Sequence, residues 1–149
     1  MQKRKLIAMA LLLSAISGTS VQAAELPPSV VIDEELPRQI TEEERDAILC
    51  VAMAEAGNQG VNGMRYVIST IMNRVASNST DFEDTIMGVI THPYQYSTGY
   101  AGPISDECRE ALSLELQEQI DTEILWFSSA GWPQWGTRAF KHKDHWFSK

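Results

Sequence analysis

One carboxylate stands where it could carry out acid–base chemistry. Glu55 directly follows eight apolar residues, 47–54, and lies in the last turn of a predicted helix. Apolar surroundings and the negative end of the helix dipole both favour the protonated form of a carboxyl group. A carboxyl group that holds its proton can act as a general acid, as cleavage of a glycosidic bond requires. Glu55 is therefore the candidate catalytic residue. The alternative is an acid that simply emerges into solvent where its helix ends.

A second catalytic carboxylate does not emerge from the pattern. Four other acids stand where helix caps and solvated faces are expected: Asp81, Glu83, Asp84 and Asp106. From the pattern alone, no second catalytic carboxylate can be chosen.

Four helices must position Glu55. Thr41 and Glu44 have capping-box spacing, which predicts a helix over residues 42–56. Its segment 47–54 is apolar on every side, so we expect it to be buried all round. A second helix, over residues 62–76, carries an apolar stripe at helical spacing. A short helix near residues 82–90, capped by Asp81, and a fourth helix capped by Ser105 follow.

The last third of the chain has strand and loop signals instead of helical ones. Residues 123–128 contain an apolar and aromatic run typical of a strand, and Gly131, Pro133 and Gly136 mark a loop. Residues 137–147 are predicted to return as a second strand. Helices followed by a β-hairpin or small sheet define the α+β class. We expect Trp132 and Trp135 to be exposed on the loop, and Trp126 and Trp146 to lie in the core.

Length and charge limit the classes of function that are open to this chain. A chain of 149 residues has room for one domain, and 12 basic against 20 acidic residues give a formal charge of −8. This charge excludes a typical nucleic-acid binder, because phosphate affinity comes mainly from Lys and Arg. The two cysteines, Cys50 and Cys108, are too few for a disulfide-built scaffold. They form either one disulfide or two buried thiols.

The N-terminus is typical of an exported protein. Residues 1–23 combine a basic start, a short apolar stretch and a small-residue cleavage site, the pattern of a signal peptide. Residues 24–40 form a proline-rich acidic arm, and residues 41–149 form the catalytic domain. We expect a secreted monomer at the cell wall, with no membrane insertion after cleavage.

Several short motifs occur in the order found in one known family. They are residues 53–59 (MAEAGNQ), Gly63, 73–75 (NRV), 88–90 (GVI), 93–97 (PYQYS), 120–127 (IDTEILWF), 136–137 (GT) and 144–147 (DHWF). In this order they resemble the SleB-type spore cortex-lytic and cell wall hydrolase family. The resemblance implies a compact lysozyme-like domain related to lytic transglycosylases. It also implies cleavage of peptidoglycan strands between N-acetylmuramic acid and N-acetylglucosamine, with Glu55 as the catalytic acid and no cofactor or metal.

The chain departs from that family at two points. Family members often carry an acid where this chain has Gln59, which cannot titrate. This difference favours one glutamate that acts first as acid and then as base. In addition, spore enzymes of the family often carry a separate wall-binding module, whereas this chain has only a short arm.

The supporting residues have two interpretations each. Gln95, Tyr96 and Ser97 could bind N-acetyl groups and sugar hydroxyls, or they could be ordinary loop residues. Asn73 could orient Glu55 or brace a loop. His145 could line the cleft or be a core histidine bonded to the backbone.

Two other functions compete with glycan cleavage. The first is a zinc site built from His92, His142, Asp144 and His145, although this spacing differs from the helical pair of common zinc hydrolases. The second is a non-catalytic glycan-binding module of an envelope assembly, which would keep the cleft but would not need Glu55. The sequence also leaves open whether water or a sugar hydroxyl is the acceptor.

Overall fold

Capping residues and apolar periodicity set the helices in the computed structural model, which describes residues 38–149. The predicted signal peptide and residues 24–37 of the predicted arm lie outside this range. The helices are α1 (Glu42–Ala56), α2 (Gly60–Ala76), α3 (Ile86–Thr91) and α4 (Asp106–Gln117). The capping box of Thr41 and Glu44 is confirmed, and Ser105 caps α4 as predicted.

The third helix begins later than predicted. Thr85, not Asp81, is its N-cap, and the Thr85 hydroxyl accepts a hydrogen bond from the Gly88 amide at 3.1 Å. Asp81 instead accepts a hydrogen bond from the Ser79 hydroxyl at 3.1 Å, within the preceding turn. The prediction failed because Asp and Thr both cap helices well, and the sequence does not show which one the chain uses.

The sheet has three antiparallel strands in the order β1-β3-β2. They are β1 (Trp126–Ser128), β2 (Arg138–His142) and β3 (His145–Ser148). The predicted single strand over residues 137–147 is therefore wrong, because the chain reverses between His142 and His145. Lys143 adopts a φ of 47°, the left-handed conformation that a two-residue hairpin loop requires. Four helices and this sheet confirm the α+β class.

The core surrounds α2. Its apolar stripe packs against α1, α3 and α4, and Met64, Val67, Ile68 and Ile71 are fully buried. From the sheet, Phe147 enters the core and stacks on Phe140 with ring centroids 5.0 Å apart.

Two predictions about burial were wrong. Helix α1 is not buried all round, because Ala54 is exposed and Cys50 is half-buried. Trp126 and Trp146 are half-buried rather than in the core.

The thiols of Cys50 and Cys108 are both free, and the Cys108 thiol donates to the Leu49 carbonyl at 3.7 Å.

A buried carboxylate joins α2 to α4. Glu115 is 2% exposed and accepts hydrogen bonds from Arg65 Nε at 3.0 Å, from the Ser69 hydroxyl and from the Ile120 amide at 3.2 Å. Burial raises the pKa of Glu115, while these hydrogen bonds oppose the shift. The contacts hold the segment after α4 against α2, so they also set where β1 begins.

Removing this carboxylate should destabilise the fold strongly. We expect Glu115→Ala to lower the free energy of unfolding by about 3–5 kcal/mol, because it leaves the Arg65 charge without its partner in a low-dielectric site. Urea unfolding followed by circular dichroism measures the change. The control is Glu110→Ala, an exposed acid on the same helix, for which we expect a change within about 0.5 kcal/mol. Equal effects of the two variants would contradict the role assigned to Glu115.

Candidate functional site

Glu55 lies in the last turn of α1 at the protein surface. Its side chain is half-buried, so it is neither fully enclosed by the core nor fully emerged into solvent. The backbone amide of Ser97 donates a hydrogen bond to Glu55 Oε1 at 2.6 Å. This short hydrogen bond fixes the carboxyl group against the loop that follows α3.

Tyr96 anchors that loop to α2. Its hydroxyl lies 2.9 Å from Thr70 Oγ1, and its ring lies 4.9 Å from the Arg74 guanidinium. Burial raises the pKa of Tyr96 to about 12, so it stays a neutral phenol at any physiological pH. With Tyr96 fixed, the next residue, Ser97, is held where its amide reaches Glu55.

Arg74 is a site residue that the sequence interpretation missed. It is 4% exposed, and its Nε donates to the Leu125 carbonyl at 2.7 Å while its Nη1 donates to Gln95 Oε1 at 2.9 Å. Burial lowers the pKa of Arg74 from its ordinary value. The available signal was its position, since residue 74 falls three residues after Ile71 and seven after Val67, on the apolar stripe itself.

Asn73 contacts a different part of the chain from Glu55. Its Nδ2 donates to the carbonyls of Asp121, at 3.1 Å, and Ile124, at 2.8 Å. Its Oδ1 accepts from Gln119 Nε2 at 3.2 Å. The Asn73 amide is therefore engaged with the segment that leads into β1, which matches the bracing interpretation.

His145 lies at the start of β3, close enough to Glu55 for their charges to interact. Its ring is 4% exposed and packs edge-on against Phe127, with ring centroids 5.4 Å apart. Burial lowers the pKa of His145, and the charges of Glu55 and Asp144 oppose this shift. Its buried Nδ1 has no hydrogen-bond partner among the described residues.

Gln59 holds the β2–β3 turn rather than facing the cleft. It is buried, its Nε2 donates to Asp144 Oδ2 at 3.1 Å, and its Oε1 accepts from the Asp144 amide at 3.2 Å. A neutral amide suits this place because it pairs with the Asp144 carboxylate, whereas a second acid would repel it. The position that differs from the resembled family is thus structural in this chain.

A groove of about 610 Å³ runs beside the loop that carries Ser97. Its lining includes Arg74, Gln95 and tryptophans from β1 and from the loop after it. Trp132 is 36% and Trp135 is 64% exposed, which confirms both as surface aromatics. Arg138 stacks on Trp132 with its guanidinium 5.3 Å from the ring centre.

The geometry therefore brings together Glu55, Gln95, Tyr96 and Ser97, with His145 nearby, and leaves Asn73 apart. Within residues 38–149, no three His, Cys, Asp or Glu side chains meet in a way that could hold a metal ion. None of the helices in this range has the length and apolar character needed to cross a bilayer.

A comparison with models of protein families assigns the chain to a family. The model of the family described as Cell Wall Hydrolase matches residues 58–148, more than half of the sequence. The chain belongs to the cell wall hydrolase family. Neither the curated proteins nor the solved structures gave a significant match.

Family membership supports a hydrolase that acts on peptidoglycan at the cell wall. The match includes Gln95, Tyr96, Ser97 and His145, but it begins three residues after Glu55. The prediction that Glu55 is catalytic therefore rests on the chemistry and geometry of its own surroundings.

The buried His145 should make stability depend on pH. Its folded pKa lies below its ordinary value of 6.5, so the unfolded chain binds a proton first as the pH falls. The contribution of neutral His145 to the free energy of unfolding is complete above about pH 6.5. It is lost as the pH falls towards the pKa of His145 in the folded protein. We expect His145→Gln to reduce this pH dependence, measured by urea unfolding at a series of pH values. The exposed His92 is the control, and His92→Gln should keep the dependence of the parent. If the free energy of unfolding of the parent and of His145→Gln changed with pH in the same way, the role given to His145 would be contradicted.

Proposed function

We propose that this protein cleaves the glycan strand of peptidoglycan between N-acetylmuramic acid and N-acetylglucosamine, as a lytic transglycosylase with Glu55 as its acid and base. The observation that carries the proposal is the position of the Glu55 carboxyl group. It lies partly exposed at the end of α1, and Ser97 holds its Oε1 from the loop beside the aromatic groove. Its Oε2 makes no hydrogen bond within residues 38–149 and is left for a substrate.

The proposed reaction has two steps. Protonated Glu55 first donates its proton to the glycosidic oxygen, and the bond from that oxygen to the anomeric carbon of the muramoyl residue breaks. Ionised Glu55 then takes the proton of the C6 hydroxyl of the same muramoyl residue. The hydroxyl oxygen bonds to the anomeric carbon, which leaves a 1,6-anhydro end and restores protonated Glu55. One carboxyl group thus completes the cycle.

The contacts of Asp144, a nearby acid, fit this single-acid scheme. Gln59 bonds one carboxylate oxygen and the backbone amide of Asp144, so Asp144 has a partner within the fold. The C6 hydroxyl belongs to the substrate, and its attack needs no protein carboxylate to hold a water molecule.

The other predicted residues have supporting roles in the proposal. Gln95 is exposed beside Arg74 and offers its amide nitrogen to N-acetyl groups or sugar hydroxyls. Tyr96 fixes the loop, and Ser97 positions Glu55 and presents its hydroxyl to the glycan. His145 borders the site near Glu55, while Asn73 braces the entry to β1. Export through the segment 1–23 would bring the protein to its substrate.

Replacing the proposed acid should abolish cleavage. We expect Glu55→Gln to lower the rate of peptidoglycan digestion by about 10²- to 10⁴-fold, because an amide can neither donate nor accept the required proton. Release of soluble fragments from purified peptidoglycan measures the rate. Glu43→Gln is the control, since it changes an exposed glutamate on the same helix, and it should digest like the parent. Equal digestion by parent and Glu55→Gln would contradict the mechanism.

Mass spectrometry of the product ends separates the remaining functions. Anhydromuramic ends from the parent support transglycosylation, whereas reducing ends would make water the acceptor and the protein a muramidase. Binding to peptidoglycan without cleavage, unchanged in Glu55→Gln, would favour the glycan-binding module instead.

The Ser97 amide can be tested apart from its side chain. Ser97→Pro removes the N–H that bonds Glu55, and we expect activity to fall by about 10- to 100-fold, the value of a hydrogen bond to a charged group. Ser97→Ala keeps the N–H and should lose clearly less activity. Thermal unfolding of both variants checks that the loop change leaves the fold intact. A larger loss in Ser97→Ala than in Ser97→Pro would assign the main role to the hydroxyl.

A further inference from the structure

The aromatic groove has a buried positive charge on its wall. Arg74 is 4% exposed and lines the groove, yet it forms no ion pair with any acid in residues 38–149. Charged side chains are almost never this deeply buried without a partner, because desolvation of an unpaired charge is costly. The charge is therefore an unusual feature of the groove.

Arg74 retains capacity to bind a further group. Its Nε and Nη1 donate to Leu125 and Gln95, while its Nη2 donates to no residue within 38–149. Arg74, Asp81 and Glu83 also line a second cavity of only about 10 Å³, which has space for no more than a water molecule. Arg74 also lines the groove of about 610 Å³, which is much the larger of the two spaces that it borders.

The groove differs in charge from the rest of the chain. The protein carries a formal charge of −8, but neither Asp nor Glu is among the residues that line this groove. Its walls are aromatic or apolar at Tyr94, Trp126, Trp132, Pro133 and Trp135. Such a surface suits an extended, largely neutral chain that carries an isolated negative group.

We propose that this groove binds the peptide stem of peptidoglycan and that Arg74 recognises a free carboxylate on that stem. The inference rests on the proposed function, because Ser97 links Glu55 to the loop that carries Gln95 and Tyr94. A glycan strand at Glu55 would thereby place its attached peptide beside the groove. Arginine suits this role because its planar fork matches a carboxylate.

An anionic wall polymer fits the groove less well. A chain of phosphates needs a series of cations for neutralisation, and among the described residues that line the groove the only cation is Arg74. Arg138 is outside this lining and stacks on Trp132. The negative charge of the protein would also repel a polyanion. A single carboxylate on a peptide needs only one buried guanidinium.

A binding measurement on the parent protein tests the proposal without any need for turnover. Soluble stem peptide, released from peptidoglycan by an amidase, is titrated in its free-acid form and after conversion of its carboxylates to amides. Indole N–H signals in ¹H–¹⁵N spectra report the position. We expect shifts at Trp126, Trp132 and Trp135, and an affinity at least about tenfold higher for the acid. Trp146 does not line the groove and should not shift, so it is the internal control.

Two kinds of result in this titration would overturn the inference. Equal affinity of acid and amide, or shifts confined to Trp146, would remove Arg74 as a carboxylate site. Tighter binding of glycerol phosphate at the same indoles would assign the groove to an anionic polymer. Neither result bears on Glu55→Gln, so failure of this inference and failure of the cleavage mechanism are distinguishable.

A pair of variants assigns the effect to Arg74. We expect Arg74→Gln to bind acid and amide with affinities within about twofold of each other. Arg109→Gln removes an exposed arginine on α4, away from the groove, and should keep the tenfold preference. Thermal unfolding checks both variants, and if Arg74→Gln does not fold, the comparison of acid and amide on the parent still decides.

Discussion

One buried guanidinium joins the parts of the molecule that form the site. Arg74 extends from α2, holds the backbone at Leu125 just before β1, and binds Gln95 on the loop after α3. Its charge also lies between the rings of Phe82 and Tyr96, at 5.1 and 4.9 Å. Since this loop presents the Ser97 amide to Glu55, the position of the Glu55 carboxyl group depends indirectly on Arg74.

The contacts of Glu115 and Asp144 can be compared with those of Glu55. Glu115 is enclosed by Arg65, Ser69 and Ile120, and Asp144 is held by Gln59. Each of these carboxylates has partners that explain its place in the fold. Glu55 differs because it is half-buried at the end of α1, and the hydrogen bond to its Oε1 comes from the loop beside the groove. This position is the physical basis for proposing that Glu55 carries out the proton transfer.

Local signals predicted the helices well and the sheet less well. The capping box at Thr41 and the cap at Ser105 appear in the structure because each needs only atoms within one helical turn. The start of α3 and the reversal at Lys143 were missed, since a left-handed lysine carries no strong compositional signal. The burial of Glu115 was missed for a related reason, because its partner Arg65 lies 50 residues away.

The sequence by itself determined the α+β class, the exposure of Trp132 and Trp135, and the family to which the chain belongs, and it supplied Glu55 as the candidate acid. Each of these follows from patterns of nearby residues or from motifs in a fixed order. Only the tertiary structure decided that Ser97 contacts Glu55 through its backbone, that Gln59 binds Asp144, and that Arg74 is buried beside a groove. These contacts join residues 21 to 85 positions apart, and such pairings arise only when the packed helices and the sheet bring them together.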